Sequence, residues 1–410
     1  MPKRNYRSCA SCPSVTPPDV PELLLLLLPV AALSGWVIGR RQRGRAGEPG
    51  ERRRLPPDYF QGLNYVLNEQ PDRAIEAFTR LVEVDADTVE THFALGNLFR
   101  RRGEVDRAIR IHQNLLARPA LDRDRRAHAL LELGCDYMRG GLLDRAENLF
   151  TEVVELDEHA ETALRCLLDI YQQEKEWQSA IDVAERLADR TGASYARELA
   201  HFCCEQGDLA WRTGDAADVI RSHYKRALRY DGECVRAHIG LGDLSYASGQ
   251  LQGAKRSYKR VARQDSDYLP EVLDRMAICY RDEGRDGAFQ RYLEAVLDDA
   301  GGACVAMKLA DLIAERDGAD PAADFLAVQL RQRVTLAGVN RFIALSRDAG
   351  DSAARCSRDL GIVGDVIAAL EGDWAPYRCL GCGFEAHQLY WQCPTCRAWG
   401  KLKPVSGVSP

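Results

Sequence analysis

One spacing governs what this 410-residue chain can fold into. A small residue that follows an acidic or polar turn recurs at Ala74, Ala108, Ala146, Ala180, Ile220, Ala254, Ala288 and Ala322, at intervals of 34, 38, 34, 40, 34, 34 and 34 residues. Twelve residues before the marker stands a glycine in several units (Gly62, Gly96, Gly134, Gly242), and three after that glycine an aromatic recurs as Tyr65, Phe99 and Tyr137. Four residues after the marker comes Phe78, Phe150, Tyr224, Tyr258 or Tyr292. A period of this length is one supersecondary unit repeated, and no single unit can bury its own apolar face, so neighbours must stack.

The unit resembles the tetratricopeptide repeat, a helix–turn–helix of 34 residues. Apolar spacing predicts two amphipathic helices per unit, for example over 59–68 and 71–84, with the small marker letting the second lie close on the first. Eight such pairs are expected over 57–345. The longer intervals hold extra residues, such as Leu121 to Arg125, which should lengthen one helix or loop without breaking the stack. The expected class is all-α: a superhelical solenoid whose concave surface suits a peptide or a protein.

Composition fits that class. With 46% hydrophobic and 28% charged residues the chain is an ordinary globular one, and a net charge of −6 argues against coating nucleic acid along its whole surface. No phosphate loop, no Ser-centred elbow and no His-Glu metal motif is present in the sequence. The array supplies no nucleophile, and its histidines and scattered cysteines read as packed or solvated helix residues. No catalytic residue and no organic cofactor is expected.

Upstream, residues 23–39 run from Leu23 to Gly39 without a charge. As a helix this is slightly short of a ~30 Å hydrocarbon core. Seven arginines follow it (Arg40, Arg41, Arg43, Arg45, Arg52, Arg53, Arg54) against Lys3, Arg4 and Arg7 before it, which orients the downstream side to the cytoplasm. A cleaved signal peptide is the rival reading, disfavoured because the arginines resist translocation. The segments are 1–19, a tail or over-long start; 20–39, a transmembrane anchor; 40–56, a basic linker; and, past the repeats, 346–375, a terminal helical segment.

The chain ends on a different chemistry over 376–404. Cys379-x-x-Cys382 and Cys393-x-x-Cys396 are separated by ten residues, a pattern that brings four thiolates to one tetrahedral ion. Gly383 allows the turn after the first pair and Pro394 stiffens the second. Arg378, Arg397, Lys401 and Lys403 are available to offset the net negative charge of the site. His387 lies between the pairs, but four cysteines already fill the shell. Zinc and iron both accept four thiolates, and spacing does not choose between them. Dithiol redox chemistry and nucleic-acid binding are the weaker readings. So short a segment needs the ion to fold, with Phe384, Tyr390, Trp391 and Trp399 expected around it or against the last helix pair, capping the stack.

The segment resembles a rubredoxin-type module, departing from it at Arg397, where that family carries a second glycine. The whole chain after residue 20 resembles the lipopolysaccharide assembly protein B family (LapB, formerly YciM). The resemblance rests on 27–32, Gly35-Trp36 and Gly39-Arg40-Arg41; on 95–100 and 102–113; on Trp177-Gln178, 180–187 and Ala200-His201-Phe202; and on Tyr390-Trp391 with 393–399. It implies a single-pass protein of the bacterial inner membrane that regulates lipopolysaccharide synthesis and is not an enzyme. Its implied partners are the deacetylase LpxC, the protease FtsH that degrades it, and the membrane sensor PbgA/YejM, with no nucleic acid. A scaffold for lipopolysaccharide assembly and transport proteins, without proteolysis, is the alternative.

Overall fold

A computed structural model describes residues 57–84, 89–119, 121–300, 302–332, 335–348 and 375–405. The expected tail, anchor and linker (1–56) lie outside these residues, as does most of the expected terminal segment, 349–374. Among the described residues no helix is long and apolar enough to cross a membrane. Two compact units divide at Thr91 and His92.

The first unit holds α1 (Pro57–Leu67) and α2 (Pro71–Val84). Its packing states the rule for the repeats that keep the glycine. A Cβ on Gly62 would stand 2.7 Å from the Phe78 ring, so the glycine of the first helix is the notch that seats the aromatic of the second. Ala74, fully buried, allows the two helices to approach.

The second unit begins within α3 (Val89–Arg102), which pairs with α4 (Val105–Leu116). Six further pairs follow: α5 (Arg123–Arg139) with α6 (Leu143–Leu156), α7 (Ala160–Glu174) with α8 (Trp177–Thr191), α9 (Ala196–Thr213) with α10 (Ala217–Tyr230), α11 (Val235–Ala247) with α12 (Leu251–Gln264), α13 (Pro270–Asp282) with α14 (Asp286–Ala300), and α15 (Ala303–Asp317) with α16 (Ala319–Gln332); α17 (Leu336–Asp348) closes the series. Gly134 meets Phe150 as Gly62 meets Phe78, at 2.6 Å from a built Cβ. The turn inside a unit is closed by a left-handed residue, Gly103 (φ 87°) after α3 and Gly141 (φ 74°) after α5, a conformation that costs a side-chain-bearing residue roughly 1–2 kcal/mol. The extra residues of the two long intervals sit mainly in first helices: α5 has 17 residues and α9 has 18, against 14 in α3. The side chain of Asp122 caps α5 by accepting from the Arg125 backbone N–H at 2.8 Å.

First helices of successive pairs pack on one another (α9 on α11, α13 on α15), while second helices pack chiefly against first helices on either side. That puts the first helices on the tighter, inner side of the curve. One apolar core runs from Leu130 in α5 to Leu244 in α11 and a second from Val235 to Leu309. Units two and three share a buried polar contact: His112, standing where other units place Phe or Tyr, donates from Nδ1 to Asp136 Oδ2 at 2.5 Å, and Arg100 donates to Asp136 Oδ1 at 2.8 Å.

The last described segment is a three-stranded antiparallel sheet ordered β2-β1-β3, from β1 (Tyr377–Cys379), β2 (Glu385–Ala386) and β3 (Leu402–Pro404). Register pairs Arg378 with Glu385 and Cys379 with Leu402.

Candidate metal centre and its seat on the helical array

β1 delivers Cys379 to a tight knuckle. The Gly383 N–H donates to the Cys379 carbonyl at 2.9 Å, Gly383 takes φ 77°, and the Gly381 N–H donates to Cys379 Sγ at 3.4 Å. The second knuckle repeats the turn: the Arg397 N–H donates to the Cys393 carbonyl at 2.9 Å. Arg397 stands at the position of Gly383 and takes φ 56°. The local geometry is thus that of the glycine it replaces, held at a cost of order 1–3 kcal/mol.

The four Sγ atoms of Cys379, Cys382, Cys393 and Cys396 all lie within 4.8 Å of one another. Cys379 Sγ is 3.7 Å from Cys396 Sγ and Cys382 Sγ is 3.6 Å from Cys393 Sγ. A tetrahedron with metal–sulfur bonds of ~2.3 Å has edges of about 3.8 Å, whereas a disulfide closes to ~2.05 Å. The donor set and spacing therefore fit one tetrathiolate ion. Burial disfavours the Cys379 thiolate, but N–H groups of Cys382 and Gly381 and the neighbouring thiols outweigh it and hold that thiol down to about 7. At Cys382 the Phe384 N–H favours the anion, yet burial and the three surrounding sulfurs push it up to about 12. Four thiols in one shell resist losing their protons together, and an ion of positive charge removes that resistance.

The core of this segment is only Cys379, Ala386, Cys393 and Leu402, with Tyr377, Phe384, Leu389 and Tyr390 partly buried around it. Cys382 and Cys396 are exposed, as is His387, which lies outside the cysteine group. Two of the cations expected to offset the thiolate charge are used otherwise. Arg378 pairs with Glu385 at 2.6 Å, and Lys403 reaches out to Asp265 and Asp267, each at 2.8 Å.

Sequence reasoning places this ribbon on the last helices as a cap. The structure corrects that: the ribbon sits on the inner side of α7, α9, α11 and α13, in the middle of the array. Trp399 is 5% exposed and stands between Trp177 (edge-on, 6.1 Å), Phe202 (edge-on, 5.7 Å) and His201 (stacked, 5.2 Å). Its indole N–H donates to Gln172 Oε1 at 3.0 Å. Trp391 stacks on Tyr268 at 5.6 Å, takes the Arg236 guanidinium over its ring at 5.7 Å, and packs against both apolar cores of the array. Tyr268 donates its hydroxyl to the Leu402 carbonyl at 2.9 Å, and Tyr377 donates to Glu271 at 2.6 Å. The physical reason is supply of apolar surface: the two indoles have no pocket inside a core of four small residues, and the middle helices provide one.

His201 is the hinge of this contact. A Cβ at Gly400, which has φ 60°, would stand 3.0 Å from His201 Nε2, so a larger residue there is doubly disfavoured. Burial, with Arg236 and Arg197 adding to it, pushes the imidazole down to about 3. It is neutral at physiological pH and serves as a flat apolar plate for Trp399.

A family model described as "Rubredoxin metal binding domain" matches residues 377–404, and one described as "Tetratricopeptide repeat" matches 61–124, 131–195 and 204–268. The chain is 38% identical over 387 residues to lipopolysaccharide assembly protein B of Escherichia coli (strain K12), covering 94% of this chain and 99% of that protein. It is 36% identical over 393 residues to the protein of the same name from Haemophilus influenzae, covering 94% and 98%. Among solved structures, MamA superposes at a TM-score of 0.31 with 22% identity over 45% of this chain and 94% of that one. Identity at this level along nearly the whole of both chains, with the repeat array and the four-cysteine ribbon in place, makes the protein a member of the lipopolysaccharide assembly protein B family.

Proposed function

We propose that the protein is a membrane-anchored, non-enzymatic adaptor that regulates lipopolysaccharide synthesis by delivering the deacetylase LpxC to the protease FtsH at the bacterial inner membrane. The observation that carries the reading is the match over 94% of the chain to proteins named for lipopolysaccharide assembly. The architecture supports it. A repeat array presents extended area to a protein client, and an anchor formed by residues 20–39 confines client and protease to one surface, so modest affinity per contact suffices. In this reading PbgA/YejM relieves the activity by engaging the anchored protein.

Cys379, Cys382, Cys393 and Cys396 would hold one zinc or iron ion, which when bound supplies cross-linking and charge compensation to a segment with almost no core of its own. The ribbon in turn clamps α7 to α13, so the inner surface offered to a client is rigid there.

The test is the half-life of LpxC in the native host after synthesis is blocked, with the protein depleted and then restored as the full chain or as a form lacking residues 1–39. The reading expects a lengthened half-life on depletion that the shortened form does not correct. An unchanged half-life with faltering lipopolysaccharide export overturns it in favour of a non-proteolytic scaffold. Cys379→Ser is expected to lose the ion and client turnover together; normal turnover without the ion removes the ribbon from the mechanism.

A further inference from the structure

Among the described helices, α12 is the one that carries five basic residues, Lys255, Arg256, Lys259, Arg260 and Arg263, and no acidic one. Its neighbour α10 carries Arg221, Lys225, Arg226 and Arg229 against Asp218. Both are second helices, and their C-terminal ends are tied where Gln264 Nε2 donates to the Gly232 carbonyl at 2.9 Å, the end of α12 lying beside the ribbon, whose Lys403 pairs with Asp265.

Part of this charge is used locally. Lys255 pairs with Glu283 and Arg221 with Asp218, Arg226 bonds Gln178 and Tyr230, and Lys259 lies over the rings of Tyr280 and Tyr292. The remainder, Lys225, Arg229, Arg256, Arg260 and Arg263, is exposed, and among the described residues none of these five has an ion-pair partner. Arg256, Arg260 and Arg263 follow i, i+4, i+7 spacing and Lys225 and Arg229 follow i, i+4, so each helix points one stripe outward. Like charges on one helix face repel, and in a chain of net charge −6 such a concentration is a local feature that a polyanion would relieve.

We propose that the outer face of α10 and α12 docks on an anionic phospholipid bilayer, an inference that rests on the anchored reading above. Two observations favour lipid headgroups over an acidic protein. Protein interfaces have an apolar centre ringed by polar groups; here the one large apolar side chain exposed on either helix is Val219, at the far N-terminal end of α10. The aromatic rings near the patch, Tyr280 and Tyr292, lie beneath Lys259 and are not offered to a partner. What remains is a set of long flexible cations on two helices, the surface that diffuse attraction to a charged leaflet requires. Docking there would leave the inner surface facing the cytoplasm and open to a client.

The experiment uses the full chain carrying p-benzoylphenylalanine in place of Gln252, an exposed residue beside the α12 stripe, or in place of Ser222, exposed on α10. It is mixed with vesicles of phosphatidylcholine alone or with added phosphatidylglycerol, irradiated, and read by mass spectrometry for lipid adducts. Adducts are expected in the anionic vesicles, falling at least about tenfold in zwitterionic vesicles and in R256E/R260E/R263E. Anchoring is scored separately as flotation in about 0.5 M salt, which strips electrostatic attachment but not an inserted helix. Flotation without lipid adducts overturns the docking face and leaves the anchor standing; failure to float overturns the anchor, while the adducts still report the face. Adducts of equal yield in both vesicle types, or adducts to protein alone on irradiation in cells, overturn the proposal. An unchanged circular dichroism melt of the triple variant shows that folding is not the cause of the loss.

Discussion

Acidification should loosen the ribbon through His201. The unfolded imidazole titrates near its ordinary 6.5, whereas burial beneath Trp399 and beside Arg236 and Arg197 pushes the folded one down to about 3. Above pH 6.5 both states are neutral and the residue contributes no pH dependence. Below it the unfolded or undocked state binds a proton that the docked state refuses, so stability falls as pH drops from 6.5 towards 3. At ~1.4 kcal/mol per pH unit, moving from pH 7 to pH 5 costs the docked state about 2 kcal/mol. Acid also protonates thiolates, so the test compares two proteins. His201→Phe keeps an aromatic plate against Trp399 and removes the titration. Denaturant unfolding at pH 7, 6 and 5, followed by tryptophan emission, should show the wild type losing about 2 kcal/mol more than the variant by pH 5, with the metal content of each sample measured. Parallel profiles for the two proteins would mean that His201 does not carry the pH dependence.

Trp399→Ala removes a buried indole and one of the two donors to Gln172 Oε1, the other being Gln392, a loss of about 3–5 kcal/mol; residues 375–405 should become protease-sensitive while the ion stays bound, because all four cysteines remain. Gly134→Ala places a methyl 2.6 Å from the Phe150 ring and should cost about 1–3 kcal/mol in a thermal melt, with Phe150→Leu restoring part of it. Asp136→Ala leaves the buried His112 Nδ1 without its partner in the contact between units two and three, while Arg100 keeps Glu132 at 2.6 Å; it is expected to cost about 1–3 kcal/mol, read as a lower denaturant midpoint that Asp136→Asn lessens.

The repeat was legible in the chain because its constraint is local. A marker alanine, a glycine twelve residues earlier and an aromatic four residues later all act within one helix pair, and Gly62 with Phe78 or Gly134 with Phe150 shows each doing what its spacing implies. The metal site was legible for a similar reason, since each Cys-x-x-Cys turn prepares two ligands. The family resemblance drew on Trp177, His201-Phe202, Trp391 and Trp399, four scattered runs whose common purpose no spacing reveals. In the fold they are one contact. The seat of the ribbon was not legible, because the residues it joins lie far apart in the chain: Gln172 and Trp399 are separated by 227 residues and Tyr268 and Leu402 by 134. Neither were the short strands β1 to β3, whose alternation is too brief to stand out.

Taken alone, the sequence determined the helix-pair period, the register of notch and aromatic within each pair, and the identity of four thiol ligands, since these follow from interactions spanning a few turns of chain. Tertiary structure alone decided that two indoles from the ribbon are buried against the middle of the array and not its end, that Arg378 and Lys403 serve carboxylates and not the metal site, and that His201 is held neutral. Each of those outcomes depends on which surfaces meet after the repeats curve, and burial, unlike periodicity, has no trace in the order of residues along the chain.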